Sequence, residues 1–250
     1  MSLSSIKVLS FNIHKGFSLG SGEFSLHRMK ECLQSTGADV VFLQEVLGRH
    51  DRHAKKVEGW PKAPQFEFLA DQVWDHFTYG QNAVYAEGHH GNAILSKYPI
   101  EFWENEDVSL NRFERRGILH ARVRDPQSGK SVDLVTLHLN LFEWHRREQL
   151  SRLVERLKKT VPQSSPLLIA GDFNDWKGLA SQILGPALGV VETFELLHGD
   201  HARTFPSWFP LLKLDRIYSR GLEPRSVKVL EGPMWRGLSD HVPLFAEFAW

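Results

Sequence analysis

The sequence predicts an α/β (α+β) protein made of packed β-sheets with helices outside them. Three observations lead there. Short β-rich runs recur along the 250 residues, several in pairs joined by turn residues. A few helical patterns are interspersed among them without a strict strand–helix alternation, which disfavours a doubly wound parallel sheet. No G-x-G-x-x-G follows a strand, and there is no Walker loop and no G-x-S-x-G elbow.

The elements follow in order. Met1 to Ser5 is expected to be a disordered lead-in. Ile6–Ile13 is β-rich and reads as a strand with Asn12 at its end. The glycine-rich loop 16–23 is expected to be exposed. Ser25 reads as the N-cap of a helix to Ser35, with Leu26, Met29 and Leu33 on one face and Gly37 as its stop. Asp39–Val46 is apolar until Gln44 and Glu45, and reads as a buried strand. Residues 49–64 form an irregular excursion. Gln65–Phe77 reads as a short helix. Phe77–Ala86 and Gly91–Ser96 read as antiparallel strands joined by Gly88–Gly91. Gly117–Val123 and Ser131–His138 flank the turn Pro126-Gln127-Ser128-Gly129. Glu143–Thr160 is the clearest helix, with Leu150, Leu153, Val154 and Leu157 facing inward. Leu167–Ala170 runs apolar into Gly171-Asp172-Phe173-Asn174-Asp175. If that strand end stays extended, Asp172 and Asn174 project the same way. The competing reading makes them turn formers capping a helix near Trp176. Strands at 214–218, 226–230 and 242–248 close the chain.

Composition narrows the function classes. Acidic and basic residues balance at 30 each, so no global field attracts nucleic acid or an anionic membrane. The single cysteine, Cys32, excludes an internal disulfide and suits a reducing, cytoplasmic setting. No signal peptide and no apolar run of membrane-spanning length is visible, and no linker or repeat divides the chain. Residues 1–250 therefore read as one domain, with no membrane insertion and no protein partner foreseen.

The functional signal is a recurrence. Strand after strand ends in a residue that chemistry can use: Asn12, Glu45, His138 with Asn140, Asp172 with Asn174, Asp215, and Asp240-His241. Singly, each has an ordinary structural explanation. As a set, carboxylates and amides without thiolates suit a hard cation such as Mg²⁺ or Mn²⁺. Histidines and an arginine suit phosphate oxygens and proton transfer. No cysteine cluster or H-E-x-x-H supports zinc. His50/His53, His89-His90 and His198/His201 read as surface histidines.

In order along the chain stand Ser10-Phe11-Asn12-Ile13, Leu43-Gln44-Glu45, Thr136-Leu137-His138, Gly171-Asp172-Phe173-Asn174, Leu214-Asp215-Arg216-Ile217 and Ser239-Asp240-His241-Val242-Pro243-Leu244. This ordered set resembles the endonuclease/exonuclease/phosphatase superfamily, with its DNase-I-like fold, and in particular its uncharacterised bacterial members. The resemblance implies a four-layer sandwich of two packed mixed β-sheets flanked by helices. It implies a Mg²⁺-dependent phosphoesterase, most simply a phosphodiesterase, with Mn²⁺ as a substitute ion. Glu45 would be the principal metal ligand, Asn12 would lie beside the ion, and Asp240 would hold a second ion or its water. Asp172 would orient or deprotonate the attacking water, and Asn174 would hydrogen-bond the phosphate or nucleophile. His138 and His241 would contact phosphate, with Asp215 fixing the His241 tautomer. Asn92, Arg116, Asn140 and Trp208 are assigned to substrate contact.

The substrate class stays open at this point among DNA, RNA, phospholipids and small phosphoesters. A repair-type nuclease, a phospholipid or sphingomyelin-type phosphodiesterase and a catalytically inactive binding module are the alternatives. Arg49–Pro64, Glu101–Arg116 and His201–Lys213 are the expected specificity segments.

Overall fold

The computed structural model describes residues 5–18, 20 and 22–250. The expected lead-in therefore lies outside the described residues over 1–4, while Ser5 already opens the first strand. One sheet contains β1 (Ser5–Asn12), β2 (Val40–His50), β3 (His76–Tyr85), β4 (Gly88–Ser96), β11 (Glu223–Val229) and β12 (Leu244–Ala249), in the order β11-β12-β1-β2-β4-β3. The other contains β5 (Ile100–Asp107), β6 (Gly117–Arg124), β7 (Ser131–His138), β8 (Leu167–Asp172), β9 (Val191–Glu192) and β10 (Asp215–Arg220), in the order β5-β6-β7-β8-β10-β9. At the centre of each sheet two strands run parallel, β1 with β2 and β7 with β8, and the remaining pairs are antiparallel.

Side-chain alternation divides each strand between two cores. From β1 and β2, Ile6, Val8, Val40 and Phe42 face the other sheet, where they meet Leu119, Leu134, Leu168 and Ile217. Leu9, Phe11, Val41 and Leu43 face outward beneath α1 (Leu26–Ser35) and α3 (Gln65–Ala70). On the second sheet Val135, Leu137, Leu167 and Ile169 face α4 (Glu143–Thr160) and α5 (Leu179–Leu188). The result is a helix–sheet–sheet–helix stack, the four-layer sandwich expected from the sequence. Two short helices, α2 (Asp51–Lys56) and α6 (Thr193–His198), complete it.

Several expectations need correction. The loop at 16–23 is not wholly exposed, since Gly16 and Ser18 are buried. Ser25 does not cap α1 with its side chain; its hydroxyl donates to the carbonyls of Gly16 and Leu238. Residues 49–64 are less irregular than expected, because β2 continues to His50 and leads into α2. The third helix ends at Ala70, and β4 begins at Gly88, inside the segment read as a connection. The presumed specificity segment Glu101–Arg116 begins within an edge strand, Ile100–Asp107.

Candidate active site

The two parallel strand pairs bring the C-terminal ends of β1, β7 and β8 together beside the middle of β2. β1 ends in Asn12, β7 in His138 and β8 in Asp172, with His138 and Asp172 in register as neighbours. Strand β10 runs antiparallel to β8, so its first residue, Asp215, pairs with Asp172. The turn that precedes β12 supplies His241.

Glu45 reaches this end by a backbone irregularity. On β2 Leu43 pairs with Ala93 and Val46 with Gly91, so Gln44 and Glu45 together oppose Asn92. This is a β-bulge, a device that re-aims a side chain. Glu45 adopts φ 55°, in the left-handed region. Plain alternation would point it with Val41 and Leu43 into the outer core. Its carboxylate instead lies 3.8 Å from Lys15 Nζ and 4.0 Å from His138 Nδ1.

Asp172 Oδ2 is the hub of the cluster. Asn12 Nδ2 donates to it at 3.1 Å, His138 Nε2 stands 3.4 Å away and His241 Nε2 3.6 Å away. Its other oxygen, Oδ1, accepts the Asn174 backbone N–H at 2.9 Å. Asp215 Oδ2 lies 2.8 Å from His241 Nδ1 and also accepts the Thr204 hydroxyl. Arg216, wholly buried, donates to the backbone carbonyls of Asp215 and Asp175 and ties the β10 start to the β8 exit.

The electrostatics follow from this crowding. Burial pushes the Asp172 carboxyl up, and Asp215 adds to the push, against the opposing pull of His241 and two hydrogen bonds. Burial by itself would lower His241, but Asp215, Asp172 and Asp240 outweigh it and hold the imidazole well above its ordinary value. His138 goes the other way. Burial, then Arg116, His241, His90 and Lys15, keep it neutral far below its ordinary value. Arg116 is lowered by burial and partly restored by Glu45, Asp172 and Glu114, which places its charge beside the cluster.

The remaining assigned residues are placed differently from one another. Asn92 opposes the bulge and donates to the Gly117 carbonyl at 3.1 Å. Asn140 is wholly buried and bonded to Glu114 and Gln149, so it braces the loop after β7. Trp208 stands exposed on the 205–212 loop, stacked near Phe209. Asp240 is half-buried, accepts the Ser239 hydroxyl at 3.1 Å and acts on His241 through its charge. Asn174 departs from the expectation of shared projection with Asp172. The strand ends at Asp172, Asn174 takes φ 49°, and its Nδ2 donates to the Leu139 carbonyl at 2.8 Å. The helix-capping part of the alternative reading belongs to Asp175, whose Oδ2 accepts the Ala180 N–H of α5.

Three participants escaped the sequence reading. Lys15 follows Asn12 closely enough that the turn after β1 could have suggested it. His90, read as a surface histidine, is half-buried, and burial followed by Lys15 lowers it to about 4 while Glu45 acts in the opposite sense. Thr204 carries no sequence signal; only the fold brings it to Asp215.

The cluster is thus two buried acids, a histidine between them and a carboxylate aimed by a bulge. The chain belongs to the endonuclease/exonuclease/phosphatase family, whose model matches residues 9–241. Members of that family are hydrolases acting on phosphoesters and generally use divalent metals. The chain is 48% identical over 243 residues to YbhP of Escherichia coli K12, an uncharacterised protein, covering 97% of this chain and 96% of that one. An endonuclease/exonuclease/phosphatase from Beutenbergia cavernae superposes with a TM-score of 0.77 at 17% identity, over 98% of this chain and 71% of that one. TDP2 of D. rerio, solved with a single-strand DNA product, superposes with a TM-score of 0.70 at 22% identity, over 98% of this chain and 99% of that one.

Proposed function

We propose that this protein is a Mg²⁺-dependent phosphodiesterase that hydrolyses a P–O bond by in-line attack of water. The observation that carries the reading is the convergence of Asn12, His138 and His241 on Asp172 Oδ2, with Asp215 behind His241. A carboxylate raised by burial can accept a proton near neutral pH, so Asp172 takes the proton of the attacking water. His241, held as an imidazolium by Asp215, donates Nε2–H to a non-bridging phosphate oxygen. The Asp215 bond to Nδ1 fixes the ring's orientation, and Thr204 fixes Asp215. Neutral His138 donates a hydrogen bond to the phosphoryl group as charge builds on its oxygens. Arg116 and Lys15 add positive charge at the same mouth.

The residues present fit a hard divalent cation. The Glu45 carboxylate accepts no hydrogen bond among the described residues, though it is largely buried. Asn12 Oδ1 accepts only the His14 N–H at 3.1 Å, which leaves it a lone pair. Glu45 and Asn12 would hold the ion, Asp240 would hold a second ion or its water, and the bound ion would supply Lewis-acid neutralisation of the phosphoryl oxygens. Asp172, Asp215 and His241 also offer ligand atoms within 4.8 Å of one another. The 2.8 Å contact commits His241 Nδ1 to Asp215, so this trio acts as a proton-handling set in the present reading.

The test is hydrolysis of bis-(p-nitrophenyl) phosphate with EDTA, Mg²⁺ or Mn²⁺ by wild type, His241→Ala and Asp172→Asn. Turnover restored by metal and abolished in both folded variants is the expected result. Wild-type-like turnover in either variant sinks the assignment.

A further inference from the structure

Many of the exposed large hydrophobic side chains among the described residues stand at the catalytic end, on four loops and the first turn of α4. Phe113, 83% exposed, lies three residues before Arg116. Leu141, Phe142 and Trp144 follow Asn140, and Trp176 follows Asn174. Trp208, Phe209 and Leu211 occupy the fourth loop. That loop is fastened to the His241 turn: the Ser207 hydroxyl donates to the Ser239 carbonyl, and the Ser207 N–H to the Asp240 carbonyl. The Phe205 ring lies 5.1 Å from the His241 ring.

The first three loops form one surface. Glu114 accepts from Asn140 Nδ2 at 2.9 Å and from the Leu141 N–H at 3.4 Å. The Arg146 guanidinium lies 4.9 Å over the Trp176 ring, and Lys177 pairs with Glu143 at 3.3 Å. Apolar exposure gathered at one end of a molecule marks an interaction surface.

The charges on this face are asymmetric. Glu143 is matched by both Arg147 and Lys177, and Glu114 by Arg116. Arg112 and Arg115 are exposed and have no carboxylate within ion-pair reach among the described residues. An apolar face with unmatched arginines and neutralised acids is complementary to an anionic, apolar partner. Leu141 and Leu211 have no π-face on which a base could stack, and the Trp208 and Phe209 rings stack on each other at 6.1 Å. Tryptophan, phenylalanine and leucine beside arginine suit the boundary between headgroups and acyl chains.

We infer that this face docks on an anionic phospholipid bilayer and presents the phosphodiester of a membrane lipid to the Asp172–His241 cluster. The identity of the substrate rests on the phosphodiesterase reading, whereas the docking does not. No helix among the described residues is long and apolar enough to cross a membrane, so the contact proposed is one of lying on the surface.

The experiment is sedimentation of the full chain with equimolar phosphatidylcholine/phosphatidylglycerol vesicles, with tryptophan emission recorded on the same samples. Wild type is compared with Phe113→Ser/Phe142→Ser/Leu211→Ser, three exposed positions outside the catalytic cluster. Both proteins are also assayed on soluble bis-(p-nitrophenyl) phosphate and on retention of a single-stranded oligonucleotide. The expected result is vesicle binding with a blue-shifted emission in wild type. In the variant the bound-to-free ratio falls at least about tenfold and soluble turnover is unchanged. Wild type left in the supernatant with an unshifted emission overturns the inference, a reading independent of whether the variant folds. Equal vesicle binding by a folded variant also overturns it. Retention of the oligonucleotide in place of vesicles assigns the face to nucleic acid and overturns it too. Vesicle binding without turnover of any phosphodiester supports the docking and counts against the phosphodiesterase reading instead.

Discussion

Gly171→Ala should damage the fold and the site together, because Gly171 lies where β8 presses on β7. A Cβ at Gly171 would stand 2.1 Å from the Leu137 carbonyl oxygen and 3.1 Å from that residue's N and C. All three are backbone atoms, so no rotamer can relieve the contact. The position also has φ +150°, which side chains rarely adopt. Overpacking costs about 1–3 kcal/mol and the unfavourable backbone roughly 1–2 more, giving about 2–5 kcal/mol in all. For a domain of this size each kcal/mol lowers the melting temperature by about 2–4 °C, so a fall of roughly 10 °C is expected. The strand pair cannot part there without moving the next pair, His138 and Asp172, and turnover should fall further than stability. Gly199→Ala is the control, since φ is +78° but nothing lies within 4 Å of the new Cβ. It should cost only about 1 kcal/mol. Thermal melting and phosphodiester turnover on both variants decide the matter. Equal melting temperatures for the two would refute the argument from close approach.

Three further outcomes are expected. Thr204→Val removes the hydroxyl that holds Asp215, and kcat should drop roughly 10-fold or more with Thr204→Ser restoring it; an unchanged kcat in the valine variant would free Asp215 from that dependence. His90, lowered to about 4, stays neutral at pH 7 while the unfolded chain protonates near its ordinary value of 6.5. Its contribution to stability is therefore complete above pH 6.5 and lost as pH falls towards 4, by something on the order of 3 kcal/mol at most. Urea midpoints across that range should flatten in His90→Gln, and a parallel pH dependence in both proteins would contradict this. Glu45→Gln should raise the Mg²⁺ concentration needed for half-maximal turnover at least about tenfold, and an unaltered Mg²⁺ titration would remove Glu45 from the ion.

The sequence was most legible where side-chain periodicity and burial agree. Ser131–His138, Glu143–Thr160 and Leu167–Asp172 lie where their apolar patterns place them. Asn12, His138 and Asp172 were readable as strand ends that two central parallel pairs bring together, whereas Glu45 lies at a bulge within β2, Asp215 opens β10 and His241 precedes β12. The edge strand Ile100–Asp107 was not readable: its Glu, Asn and Asp side chains interrupt the alternation that marks a half-buried strand. Backbone conformation was equally hidden. Glu45 and Asn174 both adopt positive φ without being glycine, so an extended projection misplaced Asn174 and gave no hint of the bulge that aims Glu45. His90 depends on the same bulge, since it pairs with Leu47 beyond it. Thr204 joins Asp215 only through a loop whose residues bear no period at all.

The most direct test of the central claim is to follow the oxygen. Wild type should hydrolyse a phosphodiester in H₂¹⁸O with metal present, and the label should appear in the phosphate product, as attack on phosphorus requires, with no incorporation when His241→Ala replaces it. Label found in the released alcohol would show cleavage of the C–O bond, and the mechanism built on Asp172 and His241 would be wrong.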